Sequence, residues 1–229
     1  MTHPAFAHTQ ACVFDAYGTL FDVNSAVSRM RDRVGPQYGE ISAAWRVRQL
    51  EYTWLRSLMK SHTDFWHLTS DALAVTLRTF SIDDEQLHEE LMQAYLSLNA
   101  FSEVSSVLHQ LKQAGMQTAI LTNGSPAMIT SAVSNAGIDE VVDRQLSVES
   151  VGVFKPDERV YQLAVDELNV EAKNIAFLSS NAWDAAGAAH FGFNVAWVNR
   201  YGQPSEALPG TPSAMLADLS ELPALLGIC

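Results

Sequence analysis

The sequence is poor in cysteine and in long apolar runs. Only Cys12 and Cys229 occur among its 229 residues. Cys12 falls in a short apolar run that we predict to be a buried strand, so a structural disulfide is not expected and a reducing compartment fits. No run is long and apolar enough to span a membrane, and residues 1–10 lack the basic and apolar regions of a secretory signal. We therefore expect a cytoplasmic protein with no membrane partner.

Basic residues are also scarce. The chain has 14 Lys and Arg against 26 Asp and Glu, for a formal net charge of −12. A surplus of this sign argues against nucleic-acid partners and anionic membranes. Eight of the 14 bases lie in residues 24–99, so an anionic substrate bound elsewhere would depend on a few well-placed cations, of which Lys155 is one.

Motifs that bind common cofactors are missing as well. The sequence has neither a Gly-x-Gly-x-x-Gly pattern nor a Walker loop, so no nucleotide cofactor is indicated. Its seven histidines form no cluster with metal-ligand spacing. We expect neither a cofactor nor a metal ion.

What the chain does contain is an alternation of short apolar runs and amphipathic helices. The first run, residues 11–14, reads as a fully buried strand. From residue 100 onward, predicted strands at 118–122, 145–148, 175–179 and 195–198 alternate with helices, which indicates a parallel sheet. Residues 24–99 show helical periodicity throughout. We predict an α/β protein whose Rossmann-like core, residues 1–23 and 100–229, has a parallel sheet with helices on both faces and carries residues 24–99 as an inserted helical cap domain.

Polar clusters occur beside the predicted core strands, and they carry the chemistry. Each alone has an ordinary structural explanation, because Asp-x-x-Gly and Thr-Asn-Gly are frequent turns and Asn-x-x-Asp is a frequent helix cap. Together, at the carboxyl-end side of one parallel sheet, they indicate a site, since ligands bind there in open α/β folds. The clusters are Asp15 with Thr19, Thr122-Asn123-Gly124, Lys155-Pro156-Asp157, and Ser179-Ser180-Asn181 with Asp184.

In this order the clusters resemble the haloacid dehalogenase superfamily over essentially the whole chain. Several segments resemble more closely the sequence motifs of one of its families, the L-2-haloacid dehalogenases. These segments are Phe-Asp-Ala-Tyr-Gly-Thr-Leu at 14–20, Trp-Arg at 45–46, Gln-Leu-Glu-Tyr at 49–52, Leu-Thr-Asn-Gly at 121–124, Lys-Pro-Asp at 155–157 and Ser-Ser-Asn-Ala-Trp-Asp at 179–184. The resemblance implies metal-independent hydrolysis of short-chain L-2-haloacids to D-2-hydroxyacids and halide.

One position distinguishes this activity from the phosphatases of the superfamily. Those enzymes carry an aspartate two residues after the nucleophile, as general acid and magnesium ligand, where this chain has Tyr17. A phenol is a poor substitute for that proton donor, but a departing halide needs no proton. The alternatives kept open are a Mg-dependent phosphatase, which Tyr17 disfavours, and a non-catalytic binding protein, which the otherwise intact set of polar residues disfavours.

The resemblance assigns catalytic roles to six side chains. Asp15 is the nucleophile and forms an ester intermediate, Lys155 stabilises charge beside it, and Thr19 orients it. Asp184 is the best candidate for the base that activates water, and the two remaining residues position these groups. The implied catalytic set is Asp15, Lys155, Asp184, Thr19, Ser179 and Asn181.

The resemblance also implies where the substrate binds. Its carboxylate is expected on the Thr122 hydroxyl, where the family more often has serine, and on the backbone N–H groups of Ala16 and Tyr17. Arg46, reaching from the helical insertion, and Asn123 are expected to cradle the halide. Otherwise Arg46 is a solvated helix arginine.

Four apolar or aromatic side chains are the candidates for the pocket wall. Each is equally compatible with a role in the ordinary core. They are Leu50, Phe65, Tyr161 and Trp183. A homodimer is expected from family likeness alone, because the apolar residues of the helical insertion also fit an internal core.

Overall fold

The computed structural model describes residues 2–228 and contains one six-stranded parallel sheet. Its strand order is β3-β2-β1-β4-β5-β6, the order of doubly wound dinucleotide-binding folds. The strands are β1 (Ala11–Phe14), β2 (Gln117–Thr122), β3 (Arg144–Ser147), β4 (Ile175–Ser179), β5 (Asn194–Val198) and β6 (Ala214–Leu216). The predicted α/β fold class is confirmed.

Ten α-helices accompany the sheet in the described part of the chain. The first five of them fall within residues 24–99, the segment predicted to be helical. These five are α1 (Asn24–Arg29), α2 (Arg31–Val34), α3 (Tyr38–Met59), α4 (Phe65–Thr79) and α5 (Glu85–Leu96). The others are α6 (Val104–Gln113), α7 (Pro126–Ala136), α8 (Glu158–Leu168), α9 (Ala182–Phe191) and α10 (Leu222–Leu226).

The sheet is covered on both faces because its strand order reverses at β1. Crossovers between parallel strands are right-handed, so helices on paths leading toward β3 lie on one face and those leading toward β6 on the other. This places α6 and α7 opposite α8 and α9. Strands buried on both faces read as continuous apolar runs, and every residue of β1 is buried.

The sixth strand is where the structure exceeds the prediction. The sequence analysis ended the strand series at residue 198, whereas residues 214–216 pair in parallel with β5. This strand is three residues long and lies at the sheet edge, and Met215 within it is 58% exposed. Its three residues are apolar, but a run of three with one buried residue is too short to indicate a strand.

The parallel register brings the strand ends of the core together. Phe14, the last residue of β1, lies between Ile120 and Leu178. The next residue, Asp15, donates its backbone N–H to the Leu178 carbonyl at 2.9 Å. The residues that follow β1, β2 and β4 are therefore neighbours at the carboxyl ends of the strands.

None of the helices within residues 2–228 combines the length and apolarity needed to cross a bilayer.

Candidate active site

The carboxylate of Asp15 is the centre of the polar cluster. Its Oδ2 accepts hydrogen bonds from Thr19 Oγ1 at 2.9 Å and from Asn181 Nδ2 at 2.8 Å. Its Oδ1 accepts from Lys155 Nζ at 3.2 Å. Three donors on a buried carboxylate stabilise its negative charge and fix the direction of its lone pairs. The structure thus brings together four residues that the sequence analysis had grouped from separate motifs.

Lys155 joins Asp15 to a second carboxylate. Its ammonium lies 2.9 Å from Asp184 Oδ2 and 5.0 Å from the centre of the Phe177 ring. Burial opposes the charge on this side chain, but the carboxylates of Asp15 and Asp184 outweigh it and raise the pKa of Lys155 above its usual value. One ammonium between two carboxylates leaves the buried trio with a net negative charge.

Asp184 is fully buried in the first turn of α9. Burial raises its pKa, the nearby charge of Asp15 adds to the effect, and Lys155 opposes it. A carboxylate whose pKa is raised is better suited to accept a proton. Its second oxygen, Oδ1, accepts a hydrogen bond from the Tyr161 hydroxyl at 2.8 Å.

Tyr161 therefore differs from the prediction that placed it on the pocket wall. Its side chain is fully buried, and its ring packs against Phe177 and Phe193, with centroids 5.8 and 5.9 Å away. The reason is its helix face: Val160, Ala164 and Leu168 are also buried on α8, and Tyr161 shares their side. Tyr161 therefore contacts Asp184 from the core of the protein, through its hydroxyl.

The loop between β4 and α9 is held by its own side chains. The Ser179 hydroxyl accepts from the Asn181 N–H at 3.2 Å, and Asn181 Nδ2 donates to the Tyr17 carbonyl at 3.1 Å as well as to Asp15. Within the described residues Ser179 makes no side-chain hydrogen bond to Asp184 or Lys155. Its side-chain contacts are with the backbone of Asn181, and its catalytic role stays a prediction.

Arg46 reaches this loop from α3. Its Nη2 donates to Asn181 Oδ1 at 3.2 Å and to the Tyr17 carbonyl at 3.4 Å, and its Nη1 donates to Gln49 Oε1 at 2.7 Å. Asn123 is held separately, since its Oδ1 accepts from the Lys155 N–H at 3.0 Å. The two residues predicted to share a halide make no hydrogen bond to each other in residues 2–228.

Several donors beside Asp15 have no acceptor in the described chain. The backbone N–H groups of Ala16 and Tyr17 make no hydrogen bond there. The Thr122 hydroxyl oxygen accepts from the Gly124 N–H at 3.0 Å, and its own proton has no acceptor in residues 2–228. Converging donors of this kind suit a carboxylate.

Aromatic rings enclose one side of the cluster. Tyr17 stacks between Phe65 and Tyr95, with centroid distances of 5.9 and 5.5 Å. Burial raises the pKa of Tyr17 well above its usual value, so its phenol stays neutral. Trp183 is partly buried and meets Trp54 edge to face at 5.5 Å. Leu50, one turn beyond Arg46, is half-buried.

Sequence reasoning missed Gln49, Thr69 and Tyr95. All three are buried polar side chains of the helices between β1 and β2. The signal for Gln49 was its position three residues after Arg46, where side chains on a helix meet. No comparable signal marked the other two, which come from α4 and α5.

The described part of the chain offers no cluster of metal ligands. No three His, Cys, Asp or Glu side chains of residues 2–228 lie close enough together to hold an ion. The expectation of metal independence stays a prediction.

Comparison with known proteins gives consistent results. The family model for haloacid dehalogenase-like hydrolases matches residues 9–192. The chain is 48% identical over 206 residues to an (S)-2-haloacid dehalogenase of Pseudomonas sp. strain YL, covering 90% of this chain and 89% of that protein. It is 46% identical over 218 residues to (S)-2-haloacid dehalogenase 4A of Burkholderia cepacia, covering 95% and 94%.

A solved structure resembles the whole fold. The L-2-haloacid dehalogenase from Xanthobacter autotrophicus, determined with chloropropionic acid covalently bound, superposes with a TM-score of 0.90 at 35% identity. The match covers 96% of this chain and 98% of that one.

Proposed function

The chain belongs to the haloacid dehalogenase-like hydrolase family, and on that basis we propose that it hydrolyses short-chain L-2-haloacids to D-2-hydroxyacids and halide. It is a hydrolase acting on carbon–halide bonds. The observation that carries the proposal is Asp15, a buried carboxylate held by three donors beside unpaired anion-binding groups. Tyr17 stands where the phosphatases of the superfamily have their acid, and halide departure needs none.

The first step is substitution at C2. An oxygen of Asp15 attacks C2 opposite the halogen, the new C–O bond forms as the carbon–halogen bond breaks, and the halide leaves with the electron pair. Attack from the opposite side inverts C2. Holding the carboxylate and the substrate in line supplies much of the rate, because it removes the entropic cost of bringing them together.

Three groups of residues bind the substrate in this scheme. The Thr122 hydroxyl and the N–H groups of Ala16 and Tyr17 hold its carboxylate. Arg46 and the amide NH₂ of Asn123 take the departing halide. The apolar wall around the reacting carbon is formed by Phe65, Leu50 and Trp183.

The second step is hydrolysis of the Asp15 ester. Water attacks the carboxyl carbon of Asp15 while Asp184 accepts its proton. The bond from that carbon to the ester oxygen then breaks, and the proton passes from Asp184 to that oxygen, which becomes the hydroxyl of the product. The regenerated Asp15 carboxyl releases its remaining proton to solvent. The C2–O bond stays intact, so the product keeps the inverted configuration. Lys155 lies between both carboxylates and offsets the negative charge that develops, and no metal ion takes part.

We also propose the finer features expected from the sequence. Residues 24–99 act as a cap domain over the core, residues 1–23 and 100–229, and the protein works in the cytoplasm. It forms a homodimer, for which α3 offers an exposed apolar surface in Leu55, Leu58 and Met59.

The decisive experiment measures halide release from the L and D forms of 2-chloropropionate in the presence of EDTA. We expect release from the L form alone, its loss in Asp15→Asn, and wild-type rates in the control Asp139→Asn, which alters an exposed aspartate. In isotopically labelled water, the first turnover should place solvent oxygen in Asp15 and none in the product. No halide release, together with Mg²⁺-dependent cleavage of a generic phosphate ester, would instead support the phosphatase alternative.

A further inference from the structure

A buried amide connects the proposed halide site to the pocket wall. Gln49 lies on α3, three residues after Arg46, and is 1% exposed. Its Oε1 accepts from Arg46 Nη1 at 2.7 Å, which is the shortest of the three hydrogen bonds of the guanidinium. A buried amide must find partners for its carbonyl and its NH₂ group, so the surroundings of Gln49 determine which way it faces.

Thr69 sets that direction. Its hydroxyl donates to the Phe65 carbonyl one turn earlier in α4, at 2.6 Å. A hydroxyl has a single proton, so toward Gln49 the Thr69 oxygen can only accept, and Gln49 Nε2 donates to it at 2.7 Å. The Tyr95 hydroxyl lies 3.3 Å from Nε2 and 3.4 Å from Oε1, so it accommodates either orientation and leaves the choice to Thr69. The carbonyl of the amide is thereby turned to Arg46.

The guanidinium is left with a defined pair of free donors. It carries five N–H groups in a rigid plane. Three of them are engaged by Gln49 Oε1, Asn181 Oδ1 and the Tyr17 carbonyl. We propose that Gln49, oriented by Thr69, is a positioning residue that fixes which N–H groups of Arg46 face the departing halide. This inference rests on the dehalogenase function proposed above.

The arrangement makes a specific kinetic prediction. Without the Gln49 acceptor the guanidinium is held only through Nη2, by Asn181 and the Tyr17 carbonyl, so its plane can turn about that atom. The halide then loses donors that are useful only as the carbon–halogen bond breaks. Chloride is the poorer leaving group and the stronger hydrogen-bond acceptor, so its departure depends on those donors more than the departure of bromide does. A loss of protein stability alone would affect both substrates equally.

The test compares L-2-chloropropionate and L-2-bromopropionate in single-turnover measurements. The variant Gln49→Met keeps the length of the side chain without the acceptor. We expect the rate with the chloride substrate to fall about 10-fold and the rate with bromide distinctly less, so that the bromide-to-chloride rate ratio rises. Thr69→Val should raise the ratio in the same direction by a smaller factor.

A matched control is available on the same helix. Thr76 is buried and donates to the Ala72 carbonyl one turn earlier at 2.8 Å, as Thr69 does to Phe65, but it makes no contact with Gln49. Thr76→Val should leave the ratio at the wild-type value. If Gln49→Met fails to fold, Thr69→Val decides the question.

The outcomes separate the two proposals. An unchanged ratio in an active Gln49→Met variant, or an equal rise in Thr76→Val, overturns the positioning role of Gln49 and leaves the dehalogenase function standing. A wild-type protein that releases no halide from either substrate overturns the function itself.

Discussion

Replacing Tyr161 with phenylalanine tests how the proposed base is held. The substitution removes one hydroxyl and keeps the ring, whose packing against Phe177 and Phe193 is unaffected. In residues 2–228, that hydroxyl is the hydrogen-bond donor to Asp184 Oδ1. Hydrogen bonds to charged groups contribute about 1.5–3 kcal/mol, and an unpaired buried acceptor adds to the loss. We therefore expect Tyr161→Phe to lower the free energy of unfolding by about 2–3 kcal/mol near neutral pH.

The size of this loss depends on pH in a definite direction. Burial, followed by the charge of Asp15, raises the pKa of Asp184. Burial also raises the pKa of Tyr161 well above its usual value, so the phenol remains a donor throughout. Its hydrogen bond favours the ionised carboxylate, and removing it raises the pKa of Asp184 further. The stability difference between wild type and variant is therefore largest where Asp184 is ionised and shrinks as the pH falls through its raised pKa.

Urea unfolding over a series of pH values, with Tyr38→Phe as a control on an exposed tyrosine, measures that difference. Stopped-reaction mass spectrometry supplies the second readout. Substitution at C2 does not use Asp184, so the variant should accumulate the Asp15 ester because its hydrolysis is slowed about 10-fold or more. A stability loss that stays constant over the whole series, or a variant that turns over at the wild-type rate with no accumulated ester, would refute the assigned role of Tyr161.

Two further substitutions test the walls of the site. A Cβ at Gly124 would lie 2.8 Å from the Tyr17 ring and 2.9 Å from its hydroxyl. Because that ring also stacks with Phe65 and Tyr95, it has little room to move. Gly124→Ala should therefore destabilise the protein by about 1–3 kcal/mol and lower kcat/KM, as thermal unfolding and halide-release assays would report. Glu149 accepts from the Phe65 N–H at 3.2 Å and pairs with His62 at 2.9 Å. Glu149→Gln weakens the hydrogen bond that positions Phe65 in the pocket wall and should raise KM about 3- to 10-fold with little change in kcat. An unchanged KM would mean that Phe65 is positioned without Glu149.

The fold and the centre of the site could be predicted because both depend on short-range patterns. An apolar run such as residues 11–14 indicates a buried strand. The polar residue that ends it, Asp15, marks the carboxyl end of that strand, where ligands bind in this class of fold. The parallel topology then requires residues after β1, β2 and β4 to meet. No contact between these motifs is needed to group Asp15 with Asp184, whereas Lys155, which comes well after the end of β3, is assigned to the site by the resemblance.

The other site features depend on which face of a helix is buried and on contacts between helices. The resemblance places Tyr161 on the pocket wall, but its spacing from Ala164 and Leu168 is that of a core residue. That pattern was available and was outweighed by the motif. The hydrogen bond between Gln49 and Thr69 could not be predicted from the sequence, because it joins α3 to α4. The periodicity of one helix does not determine which of its residues lies level with a given residue of the next helix.

The distribution of charge in the site supports departure of an anion from beside Arg46. The positive charge of Lys155 is engaged by two carboxylates, each within hydrogen-bond distance of its ammonium. Arg46, in contrast, donates to an amide oxygen of Gln49, an amide oxygen of Asn181 and a backbone carbonyl, which are all uncharged. Its charge is thus oriented without being neutralised. A cation held in this way interacts weakly with a neutral carbon–halogen bond and strongly with the halide that forms from it, so its stabilising effect is concentrated in the transition state of the first step.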